Sequence, residues 1–334
     1  MMLRIWPAAP TAIVLLGLVL LLGCGLPPLP ASAPLAQPTK VYRIGWLGTA
    51  PGNPTYEGVR QGLRDLGYIE GQTIVFEPRF SSGEDARLPE LATELIELRP
   101  DVIVSEGATA HHAAQATRTI PIVFPGHSLP VELGLVESLA HPGRNVTGVL
   151  GNPPEILGKQ FQFLKEVVPQ ASRVAVLMQA RLPDREGRIQ VLDAVAPRFG
   201  IEPLLLEISP NDDLDATFAA IDRARAEGIA VLSTGLMTQL APRIAELALQ
   251  HQLPIIGGQG AAAAGALMGY GDNNDARWHR AAVLVDKILK GAKPADLPVE
   301  APTHYDFVIN LKTAQALGIT VPQSVLLQAT EVIQ

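Results

Sequence analysis

Residues Leu88–Ala110 read LPELATELIELRPDVIVSEGATA, and this stretch decides the fold. Leu88, Leu91, Leu95 and Ile96 recur at three- and four-residue steps, the spacing of one buried helix face. Pro100 stops the helix, and Asp101–Ser105 (DVIVS) then runs apolar without alternation, as a strand covered on both faces does. The exit, Glu106-Gly107-Ala108-Thr109, follows its acid with small and hydroxyl residues and leads into another helical segment. The segment is one turn of a parallel α/β winding, and the same unit recurs outward in both directions.

Upstream, Tyr42–Leu47 and Thr73–Phe76 read as strands around a helix at Pro54–Leu66, with Gly67 at its stop. Downstream, Ile120–Phe124 is a fourth strand. The rhythm pauses between Gly126 and Pro154, apart from one short strand at Asn145–Leu150, and then restarts with a helix at Glu155–Val167 and a strand at Arg173–Met178. Strands at Pro203–Ile208, Ile229–Leu232 and Pro254–Ile256 alternate with helices at Arg185–Phe199, Leu214–Ala226 and Gln239–Gln250. The segment Ala241–Ala263 (APRIAELALQHQLPIIGGQGAAA) repeats the opening pattern, as any second βαβ unit must. A helix at Asp275–Leu289, a strand at Tyr305–Asn310 and a helix at Leu311–Leu317 lie far from the first block in sequence.

The pattern predicts an α/β protein of two doubly wound parallel-sheet lobes joined by a three-crossover hinge. Residues 41–150 and 270–302 are assigned to the N-terminal lobe, and 151–269 and 303–334 to the C-terminal lobe. The hinge candidates are Asn145–Leu150, Ala266–Tyr270 and Ala301–Asp306.

The first residues are of another kind. Arg4 precedes an apolar run, Thr11–Leu22, which is short of the ~20 residues a spanning helix needs and suits a secretion signal. Leu21-Leu22-Gly23-Cys24 resembles a bacterial lipobox, with Cys24, the single cysteine of the chain, as the lipidated residue. Residues 1–23 are therefore expected to be a lipoprotein signal peptide and 24–40 a Pro/Ala-rich tether. The protein would work outside the cytoplasm, held to the membrane by acyl chains such as palmitate. With one cysteine, no disulfide can form within the chain, and one sulfur is too few for a thiolate metal site. The net charge of −7, without basic clusters, gives no footprint for nucleic acid.

In doubly wound sheets, ligands sit beyond the carboxyl ends of the strands, where backbone N–H groups and helix N-termini receive anions. The loops that qualify are Gly48–Asn53, Ser105–Thr109, Gly126–Ser128, Gln179–Arg181 and Ser233–Gly235. No Walker A loop, GxGxxG or GxSxG motif opens a helix, so neither a cofactor nor an enzyme is indicated. His111 and His112 follow Glu106, but neighbours on a helix point about 100° apart and do not chelate one ion together. No metal is expected. Tyr270, set between glycines in Met268–Asp272, has two open roles: stacking on a ligand or plugging the core between the lobes.

Several stretches together resemble the solute-binding proteins of ABC importers associated with tryptophan and tyrosine uptake. They include YRIGWLG (42–48), GVRQGLRDLGYIEGQTIVFE (58–77), GLVESLAHPGRNVTGV (134–149), KILKGAKPADLPVE (287–300) and VINLKTAQALG (308–318). The resemblance runs from about Tyr42 to Val332 and implies a type I periplasmic-binding fold, closing on a small organic ligand such as an amino acid and docking on membrane permease subunits. It also implies pocket positions at Thr49, Gly107, Thr109, His127, Ser128 and Tyr270, with Gln179 and Thr234 from the second lobe. The aromatic packing partner would be Tyr270 or Trp46. This chain has Ser128-Leu129-Pro130 where many members have Gly-Asp-Pro, and Gln179-Ala180 where many have Asn-Pro. A monomer is expected. The alternatives are a sensor module presenting ligand to a membrane receptor and an extracytoplasmic enzyme.

Overall fold

A computed structural model describes residues 40–334 apart from 83, 108, 152, 154 and 183. The expectations for the signal peptide, the tether and Cys24 fall on residues 1–39 and lie outside the described residues.

The first lobe is a five-stranded sheet of β1 (Tyr42–Gly48), β2 (Ile74–Phe80), β3 (Val102–Ser105), β4 (Ile122–His127) and β5 (Val146–Leu150), in the order β2-β1-β3-β4-β5. All its pairings are parallel. Helices α1 (Pro54–Asp65), α2 (Leu88–Glu97) and α3 (Thr109–Ala116) connect the strands. The side chain of Asn53 caps α1 by accepting from the Thr55 N–H, and Pro54 supplies a first helical residue that needs no donor. Val59 and Leu63 of α1 are buried against Ile44 and Trp46 of β1, which explains their four-residue spacing.

The second lobe begins with α4 (Glu155–Val167) and contains β6 (Arg173–Gln179), α5 (Arg185–Val195), β7 (Glu202–Ile208) and α6 (Leu214–Arg223). It continues through β8 (Gly228–Val231), α7 (Gly235–Gln250), β9 (Ile255–Gly257) and β10 (Met268–Asp272). Then comes α8 (Asn274–Leu289), before β11 (Tyr305–Asn310), α9 (Leu311–Ala316), α10 (Gln323–Leu326) and β12 (Glu331–Ile333) close the chain. The seven strands are ordered β12-β11-β10-β9-β8-β6-β7, parallel except for the antiparallel pair β10–β11.

Helix α8 belongs with the first lobe. Its Ala281, Ala282, Leu284, Val285, Ile288 and Leu289 share a core with Ile44, Trp46, Val59 and Leu63. The approach to α1 is close: a Cβ on Gly58 would lie 2.2 Å from the Trp278 ring, and one on Gly62 2.7 Å from Ala282. The chain therefore passes between the sheets after Leu150, after Asp272 and after Glu300, whose backbone still bonds to Gly148 and Leu150 of β5. One of these points corrects the sequence expectation. The strand expected at Asn145–Leu150 is β5 of the first sheet, with the crossing just past its end, whereas residues 270–272 lie in the second sheet rather than the first lobe. That boundary shifts because Met268–Asp272 is held by pairing with β9 and β11, and β11 is distant in sequence.

Trp46 is fully enclosed in the first-lobe core, its ring 4.8 Å from that of Tyr56, which removes it as an aromatic partner for a ligand.

Candidate ligand-binding site

The carboxyl ends of the two sheets face one cavity of about 570 Å³. The first lobe contributes Thr49 after β1, Gly107 and Thr109 at the start of α3, and His127 and Ser128 at the end of β4. The second contributes Gln179 at the end of β6 and Thr234 after β8. These seven expected positions are brought together. Tyr270 is not in the wall: it is half-buried in the second-lobe core, edge-on to Phe163 at 5.3 Å and to Phe307 at 6.2 Å. Of its two open roles, the packing one is what the geometry displays, and its backbone carbonyl accepts from the Gln160 side chain.

Each wall residue is held by its local structure. Gly107 turns the chain into α3 with φ +47°, a left-handed conformation that suits glycine. The Thr109 hydroxyl is engaged inward, with the carbonyls of Leu47 and Glu106 at 3.0 and 2.7 Å, so it braces the loop. The Thr234 hydroxyl caps α7 by accepting from Met237 N–H at 3.2 Å. The His127 ring is 3% exposed, and its Nδ1 accepts from the Leu129 N–H at 3.1 Å, which puts the ring proton on Nε2. Burial lowers its pKa to about 4, with nearby Asp184 opposing the shift, so the ring is neutral at ordinary pH.

Several charged wall residues have no individual signal in the sequence. Arg188, one turn into α5, pairs with buried Asp184 at 2.8 Å. Arg277, in the first turns of α8, pairs with Asp272 at the end of β10 and donates to Asn274 at 2.7 Å. Its guanidinium lies across two glycines. A Cβ on Gly126 would come within 3.1 Å of Nε, and one on Gly151 within 2.8 Å of Nη1. This side chain thereby joins the end of β4 to two of the crossovers. Glu106 is nearly enclosed, its Oε1 accepting from the Thr49 N–H at 2.5 Å and the Thr49 hydroxyl at 3.0 Å. Burial raises its pKa, and the two bonds from Thr49 partly oppose that rise. Helical spacing around Asp184 and Arg188 hints at an i,i+4 pair, but only the tertiary fold shows that it faces a cavity.

The lobes touch around the cavity. Arg188 donates to the Ser128 hydroxyl at 3.1 Å, and Asn274 bonds Gln259 at 3.3 Å. A Cβ on Gly235 would lie 3.1 Å from the Thr49 hydroxyl. His111 and His112 do not form an ion site: His111 bonds Gln115 at 2.8 Å, and among the described residues no group of three His, Cys, Asp or Glu could hold a metal.

Comparison with known proteins agrees with this architecture. A model of the ABC transporter substrate binding protein family matches residues 52–333, and the chain belongs to that family. A tyrosine-binding protein of Clostridioides difficile (strain R20291) is 24% identical over 265 residues, covering 79% of this chain and 76% of that protein. An ABC domain from Streptococcus pneumonia solved in complex with L-Trp is 26% identical with a TM-score of 0.79, covering 88% of this chain and 100% of that one. A conserved domain protein from Vibrio cholerae is 27% identical with a TM-score of 0.80 and the same coverage. The fold is the type I periplasmic-binding fold, and the chain is a substrate-binding protein rather than an enzyme.

Proposed function

We propose that this protein is the extracytoplasmic receptor of an ABC importer and captures an amino acid, aromatic in the leading case, between its two lobes. The observation that carries this reading is the cavity itself. It is walled by the strand ends of both lobes, and cross-lobe contacts such as Arg188–Ser128 close over it. Its volume lies within the ~300–1,000 Å³ typical of small-molecule sites. The polar residues gather at the lobe interface, while Val231, Ile244 and Ile255 of the second lobe line an apolar portion. A solute with a charged head and an apolar side chain matches that division. The relatives named for tyrosine and solved with L-Trp support the same class.

A lipid on Cys24 would hold the receptor beside its permease, and closure around the solute would create the surface the permease reads. The receptor would act as a monomer. No helix among the described residues is long and apolar enough to cross a membrane.

Thermal unfolding against a panel of the twenty amino acids tests the reading. A ligand at 100 times its Kd adds about 2.7 kcal/mol of stability, so a matching amino acid raises Tm by several degrees. A panel with no shift at millimolar concentrations would remove amino acids as the solute class.

A further inference from the structure

We infer that Glu106 is the anchor for a protonated amine on the bound solute; the assignment rests on the amino-acid reading above and names the group that reads the amine.

Three buried carboxylates line the cavity among the described residues, and two of them already have a cation. Asp184 is paired with Arg188, and Asp272 with Arg277. Glu106 has none. Its Oε1 is taken by the two Thr49 donors, while Oε2 receives no hydrogen bond or ion pair from any described residue. Among the described residues Glu106 forms no ion pair, and burial disfavours its ionised form. A buried carboxylate without a cation is costly, and a compact ammonium brought by the solute would offset that cost directly.

Position fits the same role. Glu106 leaves β3 just ahead of α3, and Thr49 ties it to the exit of β1. Thr49 is also the point of the first lobe that meets Gly235, the first residue of α7. The positive end of a sixteen-residue helix therefore lies beside the Glu106–Thr49 pair. An amine on Oε2 with a carboxylate one carbon away would set that carboxylate toward the helix terminus. That arrangement suits a zwitterion over a plain acid or a plain amine.

Titration calorimetry of the purified protein with L-tyrosine, with 3-(4-hydroxyphenyl)propionate, which lacks the amine, and with tyramine, which lacks the carboxylate, tests the assignment. The wild-type protein should bind tyrosine about 100-fold more tightly than the propionate, the scale of a buried charge left without its partner. Glu106→Gln should weaken tyrosine binding by at least about 30-fold while leaving the propionate within about threefold, so that discrimination collapses. Glu106→Asp keeps the charge and should retain part of the preference for the amine, which guards against a folding defect in the first variant. Tyrosine bound by Glu106→Gln within about threefold of wild type would overturn the assignment. So would binding of the propionate with tyrosine rejected, and that outcome would leave the two-lobed receptor standing. Binding of none of the three, nor of any amino acid in the panel, would overturn the amino-acid reading and the amine anchor with it.

Discussion

Arg188 of the second lobe donates a 3.1 Å hydrogen bond to the hydroxyl of Ser128 in the first, and Asp184 holds the guanidinium in place from one turn earlier. The bond crosses the cleft, so it exists only when the lobes meet. Leu129 settles beside it over Gly187, where a Cβ would lie 2.5 Å from its methyl. Ser128→Ala removes this closure contact without altering a charge. The loss of a hydrogen bond to a charged donor is worth roughly 1.5–3 kcal/mol, so affinity should fall about 10-fold or more. Because the bond is made to the other lobe and not to the solute, the factor should be the same for every solute that binds. Calorimetry with two or more amino acids checks this, and a loss confined to one solute would place Ser128 in direct contact with that solute.

His127 makes folding sensitive to acid. Its pKa is depressed to about 4 in the folded protein, against about 6.5 for an unperturbed histidine. Between those values the unfolded chain binds the extra proton. The stability this residue contributes is therefore complete above about pH 6.5 and is lost as the pH falls toward 4. Urea unfolding should show the wild-type protein losing about 2 kcal/mol more than His127→Gln between about pH 7.5 and pH 5.0. Parallel pH profiles for the two proteins would contradict the burial of a neutral ring.

Tyr270 should matter to stability and not to binding. It packs in an aromatic group with Phe163, Phe307 and Tyr305 on the far side of β10 from the glycines that face Gln259. Tyr270→Ala should cost about 2–4 kcal/mol of folding stability, seen as a lowered Tm, with solute affinity changed by less than about threefold. A large loss of affinity at unchanged Tm would return the ring to the ligand.

Cys24→Ser should release the protein from the membrane fraction and abolish incorporation of labelled palmitate, because a serine hydroxyl does not take the thioether-linked lipid. Two or more acyl chains give firm anchoring, at ~0.8 kcal/mol per buried CH₂. Retention of label in the variant would refute the lipobox reading of Leu21–Cys24.

The winding was legible because its signals are local. Runs of Val and Ile mark β3 and β4, an unalternated apolar run marks β6, and the stop at Gly67 has a φ of +88°. Loops at strand ends could be named as the candidate site because parallel sheets put them on one face. What could not be read depends on partners distant in sequence. The strand Met268–Asp272 carries the same apolar-and-glycine pattern whichever sheet it joins, and only its pairing with β9 and β11 places Tyr270 on the α4 side. A Cβ on Gly269 would lie 2.6 Å from the Gln259 carbonyl, so those glycines serve a close backbone approach rather than a hinge. Glu106 is one acid in a glycine-rich loop until Thr49, 57 residues earlier, is seen to occupy one of its oxygens. Arg188 and Arg277 are ordinary helical arginines until the lobes bring them to the same cavity.

The two lobes are proposed to enclose one amino-acid molecule. Calorimetric titration of the purified wild-type protein with L-tyrosine and L-tryptophan measures this most directly. Saturable binding of at least one of them is expected at one molecule per chain, with a Kd of about 1 μM or tighter, near −8 kcal/mol. Saturation at one site by a solute without an amine, with both amino acids failing to bind or compete, would contradict it.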